Sequence, residues 1–264
     1  MSLRAERSGL IEIAGRRLEV LELAGAPGAD AASPIVLLHE GLGSIGLWRK
    51  LPEQLAASTG RRVVAYSRSG YGASDPAPLP RPVRYMHEEA LEVLPAALDR
   101  FGLKRPVLVG HSDGASIALV HAGGSGREVA GLALLAPHVL VEERSLEGIR
   151  AAREAYLHGD LRSRLARHHS DVDNAFWGWN DVWLSPGFRE WNLESYLPAV
   201  SCPVLVVQGE DDPYGTTLQV DRIAEGCAGP VTVRVLAACG HAPHLEQTDE
   251  TVDAITGFVR GLGS

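Results

Sequence analysis

The sequence predicts an α/β fold in which a mostly parallel sheet of eight strands is covered by helices on both faces. Short apolar, β-branched runs recur along the chain, each followed by a polar segment of helical period. The runs are nearly continuous in apolar character, as strands buried on both faces are, instead of alternating. With 45% hydrophobic residues in 264, the chain can also bury a full core.

The elements follow in order. Residues 10–23, LIEIAGRRLEVLEL, predict a hairpin turning at Ala14-Gly15. Strands are then expected at 34–39 (PIVLLH), 61–67 (RRVVAYS), 105–111 (RPVLVGH), 129–137 (VAGLALLAP), 202–209 (CPVLVVQG) and 231–237 (VTVRVLA). Helices are expected from Leu47 to about Ala57, Met86 to Phe101, Ser112 to Ala122, Thr216 to Ala224 and Thr248 to Val259. Pro95 lies inside the second and should bend it. The run SDPAPLPRP, 74–82, has prolines at alternate positions and is expected to be a stiff surface crossover.

One interval breaks the alternation. Residues 138–198 hold no strand-like run but four of the five tryptophans: Trp177, Trp179, Trp183 and Trp191. This predicts a helical cap, inserted after the sixth strand over the carboxyl edge of the sheet, where open α/β sheets bind ligands. The core is then 1–137 and 199–264, with 138–198 as the cap.

Bulk charge narrows the function. A net charge of −8 without a basic block argues against nucleic acid and anionic lipid as partners. The opening MSLRAERSGL lacks an apolar targeting segment, and no later run reaches membrane-spanning length, so a soluble, cytoplasmic protein is expected. Three cysteines, Cys202, Cys227 and Cys239, show no CxxC spacing, so neither a disulfide framework nor a zinc site is indicated. RHHSDVD, 167–173, gathers His168, His169, Asp171 and Asp173, but adjacent helical positions diverge by roughly 100°, and a solvated helix end is expected rather than a metal site.

The chemistry is carried by VLVGHSDGAS. Gly110-His111-Ser112-Asp113-Gly114 lies between a strand and an alanine-rich helix, where a G-x-S-x-G turn projects its serine above the sheet. An acid and a histidine should follow in that chain order. VLVVQGEDDPYG ends a strand with the acid, Asp212, or its neighbour Asp211; VRVLAACGHAPHLEQ places His241 after the last strand, with His244 three residues on.

These motifs, GHSDG, GEDDPYG and GHAPHLE, together with AYSRSGYGASD, resemble those of the α/β-hydrolase superfamily over about residues 10–260, and HEGLGS with GHSDGA resembles a bacterial subgroup. The resemblance implies Ser112 as nucleophile, His241 as base, Asp212 as its orienting acid, and no metal or organic cofactor. It further implies that His111 is structural, that His39 packs behind the oxyanion turn, that His244 packs at a helix start and that Trp48 anchors its helix in the core. Cys239 is expected to be a packed thiol.

VLLHEGLGSIGLW, 36–48, aligns with the family's H-G-x turn, with Glu40 standing at the family's glycine. Gly41, or Leu42 if the turn is shifted by one, and Asp113 are then the expected amide donors to an oxyanion. Glu40 is expected to point away from that hole, held by backbone amides, by Arg68 or by cap groups; the alternative is contact with substrate. Leu42, Trp177, Trp179 and Trp183 are candidate pocket residues. The function expected is hydrolysis of a small carboxylic ester or thioester through an acyl-enzyme. Amide or carbon–carbon hydrolysis and perhydrolysis on the same residues compete with it, as does a non-enzymatic ligand receptor. The sequence gives no oligomeric state.

Overall fold

The structure, a computed structural model, describes residues 5–27 and 32–262. It opens with a hairpin of β1 (Ala5–Ile13) and β2 (Arg16–Leu23), turning at Ala14 and Gly15. Both turn residues have positive φ, 50° and 74°, which matches the turn to the twist of its strands. Next come β3 (Ile35–Leu38), β4 (Val63–Tyr66), β5 (Val107–His111), β6 (Gly131–Leu135) and β7 (Val204–Gly209). Every residue of these five strands is buried, the physical reason their sequences run apolar without alternation. Strand β8 (Val231–Leu236) forms a partly exposed edge.

The sheet order is β1-β2-β4-β3-β5-β6-β7-β8. Strand β2 runs antiparallel to β4, and all pairings from β4 through β8 are parallel. From β3 the chain steps outward to β4 and returns to β5 on the other side. The carboxyl ends of β3 and β5 therefore flank a topological switch point, the crevice in which such sheets bind ligands.

Helices cover both faces. On one, α1 (Leu51–Thr59) lies in a cluster with Trp48 and with Ile255 and Val259 from the last helix. The helix expected from Leu47 is in fact two pieces, a 3₁₀ turn at Ile45–Trp48 and α1, separated by Arg49 at φ 54°. Trp48 is buried in that cluster.

On the other face, α2 (Tyr85–Glu88) and α3 (Leu94–Phe101) are joined by a π-helical turn, Glu89–Val93. This turn is how the chain accommodates Pro95. The Leu94 amide reaches back five residues to the Glu89 carbonyl, and Pro95 has no N–H to offer the next carbonyl, that of Ala90. His121 Nδ1 takes that carbonyl instead, at 2.8 Å. His121 belongs to α4 (Asp113–Gly124), whose residues 113–121 are all buried.

The insertion between β6 and β7 contains α5 (Glu143–His158), α6 (Leu161–Leu165), α7 (Val172–Leu184) and two 3₁₀ turns, Pro186–Glu190 and Glu194–Ala199. Asp171 caps α7 by accepting from the Asn174 amide at 2.9 Å. Phe176, Trp179, Trp183, Phe188 and Trp191 from this segment join the same apolar cluster as α3, α4 and the sheet. The proline-rich segment 74–82 is clasped by α7: Asn174 accepts from the Ala77 amide and donates to the Ala77 carbonyl. The chain ends with α8 (Thr217–Gly226), α9 (Pro243–Glu246) and α10 (Thr248–Gly261). Among the described residues no helix is long and apolar enough to cross a membrane.

Candidate active site

Strand β5 delivers Ser112 to the switch point. Its backbone sits at φ 52°, ψ −116°, a conformation that costs a non-glycine residue on the order of 1–3 kcal/mol and is held by its surroundings. The flanking glycines make the turn possible. A Cβ on Gly110 would lie 2.4 Å from the Gly114 carbonyl oxygen, and one on Gly114 would lie 1.9 Å from that of Leu38. The elbow is thus packed onto both α4 and β3 with no room for a side chain at either position.

Asp212 and His241 come from the loops after β7 and β8. His241 Nδ1 lies 2.9 Å from both oxygens of Asp212. Asp212 also accepts from the Tyr214 amide and from Gln208 Nε2, each at 2.8 Å. Burial alone would push this carboxyl upward; the His241 hydrogen bond and charge, with the Tyr214 amide, hold it down at about 2. Asp211, the alternative acid, is exposed, and its amide is tied to the Cys239 carbonyl. An ionised Asp212 on Nδ1 fixes the tautomer with the proton there, leaving the Nε2 lone pair for a donor. Ser112 and His241 line one cavity, and among the described residues no hydrogen bond joins them.

The turn after β3 supplies the opposite wall. The Glu40 carbonyl accepts from the Gly43 amide at 3.0 Å, His39 Nδ1 at 2.7 Å and Arg68 Nη2 at 3.0 Å. Arg68 Nη1 holds the His39 carbonyl as well. In a trans peptide the N–H points opposite to the C=O, so a Glu40–Gly41 peptide with its carbonyl gripped from behind presents the Gly41 amide on the other side. A Cβ on Gly41 would lie 2.2 Å from Trp179 Nε1, so the turn is also too close to α7 for any other residue. His39 accepts the Arg68 amide on Nε2 at 3.0 Å and stays neutral, kept well below its usual range chiefly by burial and then by the Arg68 charge.

Both acidic side chains beside this space are held by partners. Glu40 Oε2 reaches His111 Nδ1 at 3.3 Å; the expected contact with Arg68 is made by the Glu40 backbone instead of its carboxylate. Burial opposes ionisation of Glu40, but the hydrogen bond and charge of His111 hold it well below the ordinary carboxylate range. Asp113 accepts from the Tyr85 hydroxyl at 2.5 Å and lies 3.8 Å from Arg68, while Trp183 Nε1 donates to the same hydroxyl at 3.0 Å.

The cavity encloses about 100 Å³ between Glu40, Gly41, Leu42, Ser112, His138, Ser145, Ile149, Trp179, Trp183, Tyr214 and His241. Of the tryptophans singled out from the sequence, Trp179 and Trp183 are in its wall. Trp177 is not: it packs against Tyr156 and Phe176 on the far side of α7, under Arg153. At roughly 100° per residue, positions 177 and 179 lie on nearly opposite sides of α7 while 179 and 183 share a face, so the period that turns 179 and 183 inward sends 177 outward.

RHHSDVD also departs from expectation. His169 is buried, accepts the Gly72 amide on Nδ1 and donates from Nε2 to the Leu42 carbonyl, both at 3.0 Å, so it ties the insertion to the turn after β3. His244 is buried within 5.0 Å of the Trp48 ring, and Cys239 is buried with its thiol pushed up to about 11.

Sequence reasoning missed His138, Ser145, Ile149 and Tyr214. His138 is buried, its ring 5.6 Å from that of His241, and burial with the neighbouring His241 holds it neutral at about 3. Its one signal was its place directly after β6, at the carboxyl edge of the sheet.

Residues 35–254 match the model of the alpha/beta hydrolase family, and the chain belongs to that family. It is a hydrolase. It is 31% identical over 210 residues to the putative carbamate hydrolase RutD of Klebsiella pneumoniae, covering 71% of this chain and 77% of that one. It is 25% identical over 261 residues to a proline iminopeptidase of Lactobacillus helveticus, covering 83% and 87%. Among solved structures, a proline iminopeptidase of Mycobacterium smegmatis superimposes with a TM-score of 0.78 at 20% identity over 97% of this chain and 98% of its own.

Proposed function

We propose that this hydrolase cleaves a small, uncharged carboxylic ester or thioester through an acyl-enzyme on Ser112. The observation that carries the reading is the cavity: about 100 Å³, closed by Leu42, Ile149, Trp179 and Trp183 around Ser112 and His241. Drug-sized ligands occupy about 300–1,000 Å³, so this space suits a short acyl group. Its one acidic wall residue, Glu40, is already paired with His111.

His241 Nε2 removes the Ser112 proton as Oγ attacks the carbonyl carbon, and Asp212 stabilises the imidazolium that forms. The Gly41 and Asp113 amides receive the oxyanion. Collapse expels the alcohol or thiol, which takes the proton from His241. Water, activated by the same ring, then releases the acid.

An acyl series tests the substrate class. For p-nitrophenyl esters and matched thioesters, kcat/KM is expected to peak between acetyl and butyryl and to fall steeply by octanoyl, because longer chains meet Ile149 and the indoles. A peak at octanoyl would overturn the short-acyl assignment. Cleavage of a carbon–nitrogen bond is the second reading, favoured by the two relatives named above; it predicts faster turnover of L-proline p-nitroanilide or a simple carbamate than of any ester in the series.

A further inference from the structure

His111 touches two acceptors at once. Its Nδ1 lies 3.3 Å from Glu40 Oε2 and its Nε2 lies 2.6 Å from the backbone carbonyl of His241. A carboxylate and a carbonyl both only accept, so a neutral ring, with one N–H, satisfies one and turns a lone pair on the other. The His111 ring is only 2% exposed, so it cannot replace the lost bond freely with water. Arg68 is committed to the His39 and Glu40 carbonyls.

We propose that His111 works as a protonated counter-ion and positioning residue: it neutralises Glu40 beside the oxyanion space, holds the His241 loop by its carbonyl, and loses the first task when it deprotonates, which sets an alkaline limit to activity. This rests on the Ser112 reading. In the neutral ring the short bond to the His241 carbonyl persists and the bond to Glu40 goes. The carboxylate is then uncompensated at the cavity wall, where developing negative charge on the substrate must be stabilised.

The groups around the ring fit this role. Burial opposes charge on His111, and Glu40, the His241 carbonyl and Asp212 together raise its proton affinity above the usual histidine range. From α9, His244 meets the ring edge-on at 4.9 Å and is held neutral at about 3; from the β8 loop, His241 lies 5.1 Å away; Trp48 packs edge-on from the 3₁₀ turn. His138 is neutral as well, so no neighbouring imidazole competes for the Glu40 charge.

The test compares pH profiles of kcat for wild type and Glu40→Gln, an isosteric change that removes the charge. Wild type should lose activity above the usual histidine range by at least about tenfold, a fraction of the roughly 10²–10³ that removal of one oxyanion donor costs. Glu40→Gln should keep the acid limb and lose the alkaline one. A purely structural pair would lower kcat equally at every pH, and that result, or the same alkaline limb in both proteins, would overturn the proposal. Nitrogen-15 NMR of wild-type His111 gives an answer independent of how the variant folds: both ring nitrogens should be protonated at pH 7, and a neutral tautomer there would also overturn it. Should Ser112 fail to react with a fluorophosphonate, the hydrolytic reading fails while the NMR result still judges the Glu40–His111 pair.

Discussion

Glu40 lines the cavity and Asp113 follows Ser112, and each carboxylate is held by a buried partner: His111 for the first, Tyr85 and Arg68 for the second. The serine and the histidine were legible in the sequence because a glycine-bracketed elbow and a glycine-histidine after the last strand are local patterns. The partner of Glu40 was not, because His111 is 71 residues away and meets it only once β3 and β5 lie side by side. Asp212 and Asp211 are separated by the fold, which buries Asp212 against His241 and leaves Asp211 exposed. Asp212→Asn keeps the size of the side chain but presents an amide to Nδ1, favouring the wrong tautomer. We expect kcat to fall by about 10⁴ with the fold retained, read by steady-state kinetics beside circular dichroism; a loss below tenfold would remove Asp212 from the mechanism. Since Asp212 is held at about 2, it stays ionised down to strongly acid pH, and the stability it lends, present above its unfolded value near ~3.9, is lost only as pH falls toward 2.

At the scale of elements, strands were easier to read than helices. Five central strands are buried on both faces, which leaves an unmistakable apolar run, whereas helix ends depend on contacts the sequence does not display. Pro95 predicted a bend, but the actual answer, a π-helical turn whose idle carbonyl is taken by His121, needs a partner from α4. The short helix α9 was missed because four residues carry no period. The elbow is the element most sensitive to substitution. Gly114→Ala places a methyl group against the Leu38 carbonyl and must push β3 from α4, and overpacking of this kind costs typically about 1–3 kcal/mol. Urea unfolding should show that loss of stability together with loss of turnover. An unchanged midpoint would mean that the α4–β3 contact is looser than the structure has it.

At the scale of the molecule, sheet, α4 and insertion share one apolar cluster, so the insertion is packed as part of the core and shapes the cavity from above with Ile149, Trp179 and Trp183. The tryptophan-rich interval marked where that wall would come from, but which tryptophans face inward depends on the rotation of α7 about its axis, which is set by docking and not by composition. His169 on Leu42 and Asn174 on Ala77 provide that docking. All of this converges on one hydroxyl. Treatment with a fluorophosphonate, followed by intact-mass and peptide analysis, should give a single adduct on Ser112 and abolish turnover of p-nitrophenyl acetate in parallel, with neither adduct nor turnover in Ser112→Ala. An adduct on another residue, or turnover that survives in Ser112→Ala, would contradict the assignment of Ser112 as the nucleophile.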